Sequence, residues 1–170
     1  VTFAVINWID LFIREEYKKI MLDSWEYCMQ NKGMELYGWC IMTSHIHMII
    51  GSRKDKLERI IQNMKRHTSE QLKAAIKNKH AESRKELNIG MMEYAGKKNG
   101  NNIHFQLWQH NHPIELNNPK IAWQKMEYIH QNPVKAGIEE RPEDYLYSSA
   151  RDYYGMKGLV EISLLESLTV

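Results

Sequence analysis

Cysteine is nearly absent: Cys28 and Cys40 are the only two in 170 residues. Two isolated thiols cannot build a disulfide scaffold or a cysteine-rich zinc site, so a reducing cytoplasm fits and a structural zinc finger does not. No apolar run approaches the roughly 20 residues of a membrane span, and no signal peptide opens the chain. Internal repeats and low-complexity segments are also missing. What remains, 43% hydrophobic and 26% charged, is ordinary globular sequence. Residues 1–170 therefore read as a single domain with a real core. The strand-like opening "VTFAVINW" implies residues missing upstream of Val1.

The net charge is small as well, at +2, but it is unevenly spread. Residues 53–85 hold eleven Lys/Arg against four Asp/Glu, and the rest of the chain holds twelve against seventeen. A basic block of this kind is either a solvated helix face or the electrostatic footprint of a polyanion. Charge alone does not separate the two.

Periodicity supplies the elements. "VTFAVI" (residues 1–6) has the β-branched and aromatic content of a strand. Residues 15–32 repeat apolar side chains at Tyr17, Ile20, Met21, Trp25 and Cys28, a helical spacing that Gly33 ends. "MELYGWCIM" (34–42) and residues 45–51 are strands joined by the short polar turn Thr43-Ser44. Residues 54–77 lack Gly and Pro and carry the stripe Leu57, Ile60, Ile61, Met64, Thr68, Leu72 and Ala75, a long amphipathic helix. A weaker helix begins near Ala81 and gives way to a Gly/Asn-rich loop, followed by a fourth strand at 103–109. Asn118 caps a last helix with Pro119 at its first position, running to about residue 131. The tail "YLYSSARDYYGMKG" is expected to cover the sheet or the preceding helix. The order predicts an α+β fold with an antiparallel sheet and helices packed on it, the ferredoxin-like or split βαβ plan.

Two constellations carry chemistry. In "MTSHIHMII", residues i and i+2 of a strand share a face, so His45 and His47 stand side by side. They are either a pair of metal ligands or two half-exposed strand residues. On the helix after Pro119, which carries "KMEYIHQNPVKAG", Ala122, Met126 and Ile129 fall within about 60° of arc at roughly 100° per residue. Tyr128 lies roughly opposite, with Asn132 one turn further on the same face. A surface tyrosine and a helix-ending Asn would look the same.

Taken in order, "HIH", "YIHQNPVKAG" and "YLYSSARDY", with "YGWCIM" before the histidines and the basic "IIQNMKRHTSEQL" after them, resemble the HUH-type tyrosine transposases of small insertion sequences, REP-associated members above all. "FQLWQHNHPIEL" fits too, so the resemblance spans essentially the whole chain. The family often has Pro-Asn before the first histidine, where this chain has Thr43-Ser44.

The resemblance implies cleavage and rejoining of single-stranded, hairpin-forming DNA through a covalent 5′-phosphotyrosine. Tyr128 would be the nucleophile. His45, His47 and Asn132 would hold a divalent cation, Mg²⁺ or Mn²⁺, on a neutral N/O ligand set. Arg59, Lys65, Arg66 and Lys73 are the expected phosphate contacts, and Trp108 is either a core residue or a base-stacking one. His104, His110, His112 and His130 are read as structural or DNA-contacting. A monomer or a homodimer is compatible with this reading. An HUH replication initiator, a domesticated nucleic-acid-binding domain without cleavage, and a plain metal-binding structural protein are the alternatives.

Overall fold

The computed structural model of the chain describes residues 1–78, 84–99, 104–110 and 112–165. Three strands, β1 (Thr2–Ala4), β2 (Met34–Ile41) and β3 (His45–Ser52), form an antiparallel sheet in the order β1-β3-β2. Helix α1 (Glu15–Lys32) crosses from β1 to β2, as the apolar repeat predicts, and Gly33 ends it at φ 70°, a left-handed conformation that glycine adopts without steric cost. The β2–β3 hairpin closes with the Met42 N–H donating to the His45 carbonyl at 2.8 Å.

The two faces of the sheet are unlike. On one, α1 and α2 (Leu57–Asn78) bury Phe3, Leu36, Trp39, Ile41, Ile46 and Met48 together with Tyr17, Met21, Trp25, Met64 and Leu72. Each large apolar side chain sealed there contributes about 1.5–3 kcal/mol. The basic helix thus has the apolar stripe expected of it, except that Ile76 takes the fully buried place assigned to Ala75. On the other face α4 (Pro119–His130) covers a smaller cluster of Cys40, Met42, Ile49, Met126, Ile129 and Tyr145. Asn118 Oδ1 accepts from the Lys120 N–H at 2.9 Å and caps this helix as the sequence indicates. Its short continuation α5 spans Asn132–Lys135.

Strict alternation would put Leu36 and Trp39 on opposite faces, yet both lie beneath α1. The reason is a register shift between Leu36 and Gly38, a bulge at Tyr37 that reverses the alternation. It also turns Gly38 toward α4, where an added Cβ would collide with the Met126 sulfur. Glycine lets the helix lie directly on the strand.

The fourth strand expected at 103–109 is a correction. Ile103 lies outside the described residues, and the remainder forms a single bridge, Val5 to Trp108, against the free edge of β1. Trp108 takes part in the core instead of a ladder: its ring stacks on Phe12 and tilts against Phe3, and its indole N–H reaches Lys65 O and Thr68 Oγ1 at 3.2 Å. The expected weaker helix is α3 (Lys85–Lys98); the part of it placed at 81–83 falls outside the described residues.

The tail does cover the sheet, along the outer edge of β2. Ser149 N–H donates to Trp39 O, Tyr145 hydroxyl to Ile41 O, Tyr153 hydroxyl to Tyr37 O and Ser163 N–H to Leu36 O, all at 2.8–2.9 Å. Among the described residues no helix is long and apolar enough to cross a membrane.

Candidate active site

His45 and His47 open β3 on the face that α4 covers. Their cross-strand neighbours in the register are Ala4, Thr2 and Cys40, all small or thin side chains that leave the imidazoles room. The rings meet edge to face with centroids 4.8 Å apart. His47 in turn meets the ring of Tyr128 at 5.6 Å. Tyr128 is 46% exposed, so its helix presents it to the histidines and to solvent at once.

The hydrogen bonds around the imidazoles are polarised. His47 Nδ1 lies 3.0 Å from Thr2 Oγ1, and His45 Nδ1 lies 3.3 Å from Ser44 Oγ. His47 Nε2 is buried without any hydrogen-bond partner. A buried ring nitrogen left bare while its fellow is held by a hydroxyl is the arrangement that cation-binding histidines use. Burial, reinforced by the neighbouring His45, lowers the His47 imidazole to about 4, and burial lowers His45 as well. Both are neutral near pH 7, with a lone pair free. Cys40, though opposite His47, is no ligand: burial pushes its thiol up to about 12, and its Sγ donates to Met42 Sδ.

Asn132 is tied to the tyrosine's own helix. Its Nδ2 donates to Tyr128 O at 2.8 Å and Ile129 O at 3.3 Å, capping the last turn of α4 and leaving Oδ1 as the free acceptor. Among the described residues no group of three or more His, Cys, Asp or Glu side chains converges. The donor set therefore fits a cation only as two imidazoles with a carboxamide oxygen, a weak neutral site that an anionic ligand would have to complete.

Two cations flank the phenol. Lys125 Nζ lies 5.9 Å and Lys135 Nζ 5.3 Å from the centre of the Tyr128 ring. A phenol hydroxyl, two neutral imidazoles and two ammonium groups make a set chemically suited to a phosphodiester.

The sequence pattern of IS200-like transposases matches residues 5–95, more than half of the chain. The chain belongs to this family. The matched stretch of this IS200-like chain holds both histidines and the basic helix, and it ends before α4. Among solved structures, that of a REP-associated tyrosine transposase bound to a REP hairpin matches with a TM-score of 0.60 at 17% identity, over 99% of this chain and 86% of that one. At this identity the likeness concerns the fold. No curated protein matches the chain.

The expected phosphate contacts of this IS200-like chain separate. Lys65, Arg66 and Lys73 line a groove of about 600 Å³ between α2 and residues 105–110. Arg59 stays exposed, one heptad before Arg66 on the same helix. Lys65 lies over the Phe3 ring and Lys73 over Phe105, so both stems are half-buried and burial lowers Lys65. Phe3 points away from the histidines, into the α1–α2 core. The groove and the candidate site thus belong to opposite faces of the sheet.

His130 is structural. It is the buried last residue of α4, and its Nε2 lies 2.8 Å from Ser149 Oγ. His104, His110 and His112 are exposed. Lys125 and Lys135 were not among the candidates. Their spacing, three before and seven after Tyr128, was a legible signal of a shared helical face.

Proposed function

We propose that this chain is a transposase that cuts and rejoins single-stranded DNA through a covalent 5′-phosphotyrosine at Tyr128. The observation that carries the reading is the contact between the exposed Tyr128 ring and His47, whose Nε2 is buried and bare. Family membership supports it, and so does the hairpin bound by the structural neighbour, which makes hairpin-forming DNA the natural partner class.

Tyr128 Oη attacks phosphorus and forms the phosphotyrosine ester as the bond to the 3′-oxygen breaks. In net terms the proton given up by the phenol is taken up by the departing oxygen, which leaves as a 3′-hydroxyl. A second 3′-hydroxyl then reverses the attack, so the phosphodiester is conserved without ATP. Lys125 and Lys135 offset the negative charge of the phosphate beside the phenol. His45 and His47, with Asn132 Oδ1, would hold Mg²⁺ or Mn²⁺, which when bound supplies Lewis-acid stabilisation to a phosphate oxygen. The Asn132 bond to the Tyr128 carbonyl couples the position of the nucleophile to that ligand. Lys65, Arg66 and Lys73 would hold the backbone of the DNA beyond the site.

The test is a denaturing protein gel after incubation with labelled hairpin oligonucleotides and Mg²⁺ or Mn²⁺. A cation-dependent covalent band, lost in Tyr128→Phe, is expected. Binding without any band over a panel of hairpins would make the chain a binding protein instead.

A further inference from the structure

Of the five tryptophans, Trp25, Trp39 and Trp108 are buried and Trp123 packs edge to face on Tyr153. Trp8 is 56% exposed. It sits in a tight turn in which Asn7 (φ 54°) and Trp8 (φ 55°) are both left-handed, a conformation that is a genuine outlier for a bulky side chain. The turn is pinned from both sides. Val5 N–H donates to Ser44 O, Ile6 N–H to Leu107 O, Trp8 N–H to Val5 O and Phe12 N–H to Thr43 O, at 2.8–3.0 Å. Glycine or asparagine would meet the same backbone demand at lower cost. More than half of the indole is left open to solvent, so the fold alone does not explain it.

Its neighbour does. The Trp8 ring stands edge to face on His45 at 5.3 Å. Trp8, His45, His47 and Tyr128 thereby form one row of four rings, each meeting the next at 76–81°. A strand laid with a phosphate at Tyr128 reaches Trp8 within a few nucleotides.

We infer that Trp8 is a stacking platform for an unpaired base close to the phosphate at Tyr128, held over the site by a strained turn. The inference rests on the DNA-cleaving reading for its ligand, an unpaired nucleobase, but not on the phosphotyrosine step. Aromatic faces hold unpaired bases without sequence preference, and loss of one such contact weakens binding about ten-fold.

Binding separates the two. In the Tyr128→Phe background, affinity is measured for a hairpin oligonucleotide with single-stranded flanks, and for copies carrying one abasic site at each flanking position in turn. One position is expected at which the abasic copy binds the Trp8 protein about ten-fold more weakly. In Trp8→Ala the parent and that copy should bind equally, and Trp8→Phe should restore most of the difference. Trp8→Gly should melt no lower than the starting protein, since the strain is relieved. Abasic penalties that persist unchanged in Trp8→Ala would overturn the inference, as would a lowered melting temperature in Trp8→Gly, which would make the indole structural. Absence of binding to any oligonucleotide would overturn both readings. A coupled abasic penalty without a covalent band in the earlier gel would leave Trp8 standing and remove the phosphotyrosine.

Discussion

The two faces of one sheet have been given different work. The face under α1 and α2 is sealed by aromatic and aliphatic side chains such as Trp25, Trp39, Leu36 and Leu72. The face under α4 holds fewer apolar residues, and beside them two half-exposed histidines and an exposed tyrosine. The first stabilises. The second is left open at one end, where its polar groups reach solvent. β3 serves both, because Ile46 and Met48 point one way and His45 and His47 the other.

This contrast is open to experiment, and the largest effect belongs to the open face. Tyr128→Phe should lower covalent adduct formation by on the order of 10³-fold or more, with DNA affinity and melting temperature unchanged. If stability fell as well, the division between the faces would be wrong. Trp25→Ala should do the reverse. It empties a fully buried site and should cost about 3–5 kcal/mol, a fall of roughly 6–20 °C in melting temperature, while the protein that stays folded keeps its activity.

Gly38→Ala sharpens the comparison, because it acts where the faces are coupled. The new methyl group presses on the Met126 sulfur and should cost about 1–3 kcal/mol. It should also displace α4, and with it Tyr128, so adduct formation should drop more than melting predicts. Acidity separates the faces too. Burial at the end of α4 lowers His130 to about 4 in the folded chain, against about 6.5 unfolded. The unfolded state therefore binds the extra proton between those values, and stability should decline as pH falls from 6.5 toward 4. His130→Asn should remove its share of that decline in a pH series of melting curves, leaving the share carried by His47, which is lowered to about 4 as well. The smallest effect is expected in the groove, where Lys65→Ala or Lys73→Ala should each reduce the slope of log affinity against log salt by about 0.7.

Much of this was legible in residue order. The apolar repeat from Tyr17 to Cys28 bounded α1 correctly, and the alternation around Ile46 put both histidines on one side. Helical arithmetic turned Tyr128 away from Met126 and Ile129. What stayed hidden was tertiary. The bulge at Tyr37 is marked only by the neighbouring Gly38, so plain alternation misreads β2. "FQLWQ" reads as a strand because Trp108 and Leu107 suit one, yet their partners are Phe3, Phe12 and α2, and only one bridge forms. Trp8 escaped because a left-handed turn usually announces itself with glycine, and "INWI" has none. Nor could charge alone tell which side of the sheet the basic groove would face.

The strap along β2 has a consequence for assembly. The outward carbonyls of Leu36, Tyr37, Trp39 and Ile41 all accept hydrogen bonds from residues 145–163, while on β1 the Val5–Trp108 bridge and the Gln109 N–H donating to Ala4 O cover the Ala4–Val5 end. Exposed strand edges invite pairing with other chains. Among the described residues the long outer edge of β2 is occupied by the chain's own tail, and a strand from another molecule would have to displace that tail to pair there, which guards this edge against aggregation.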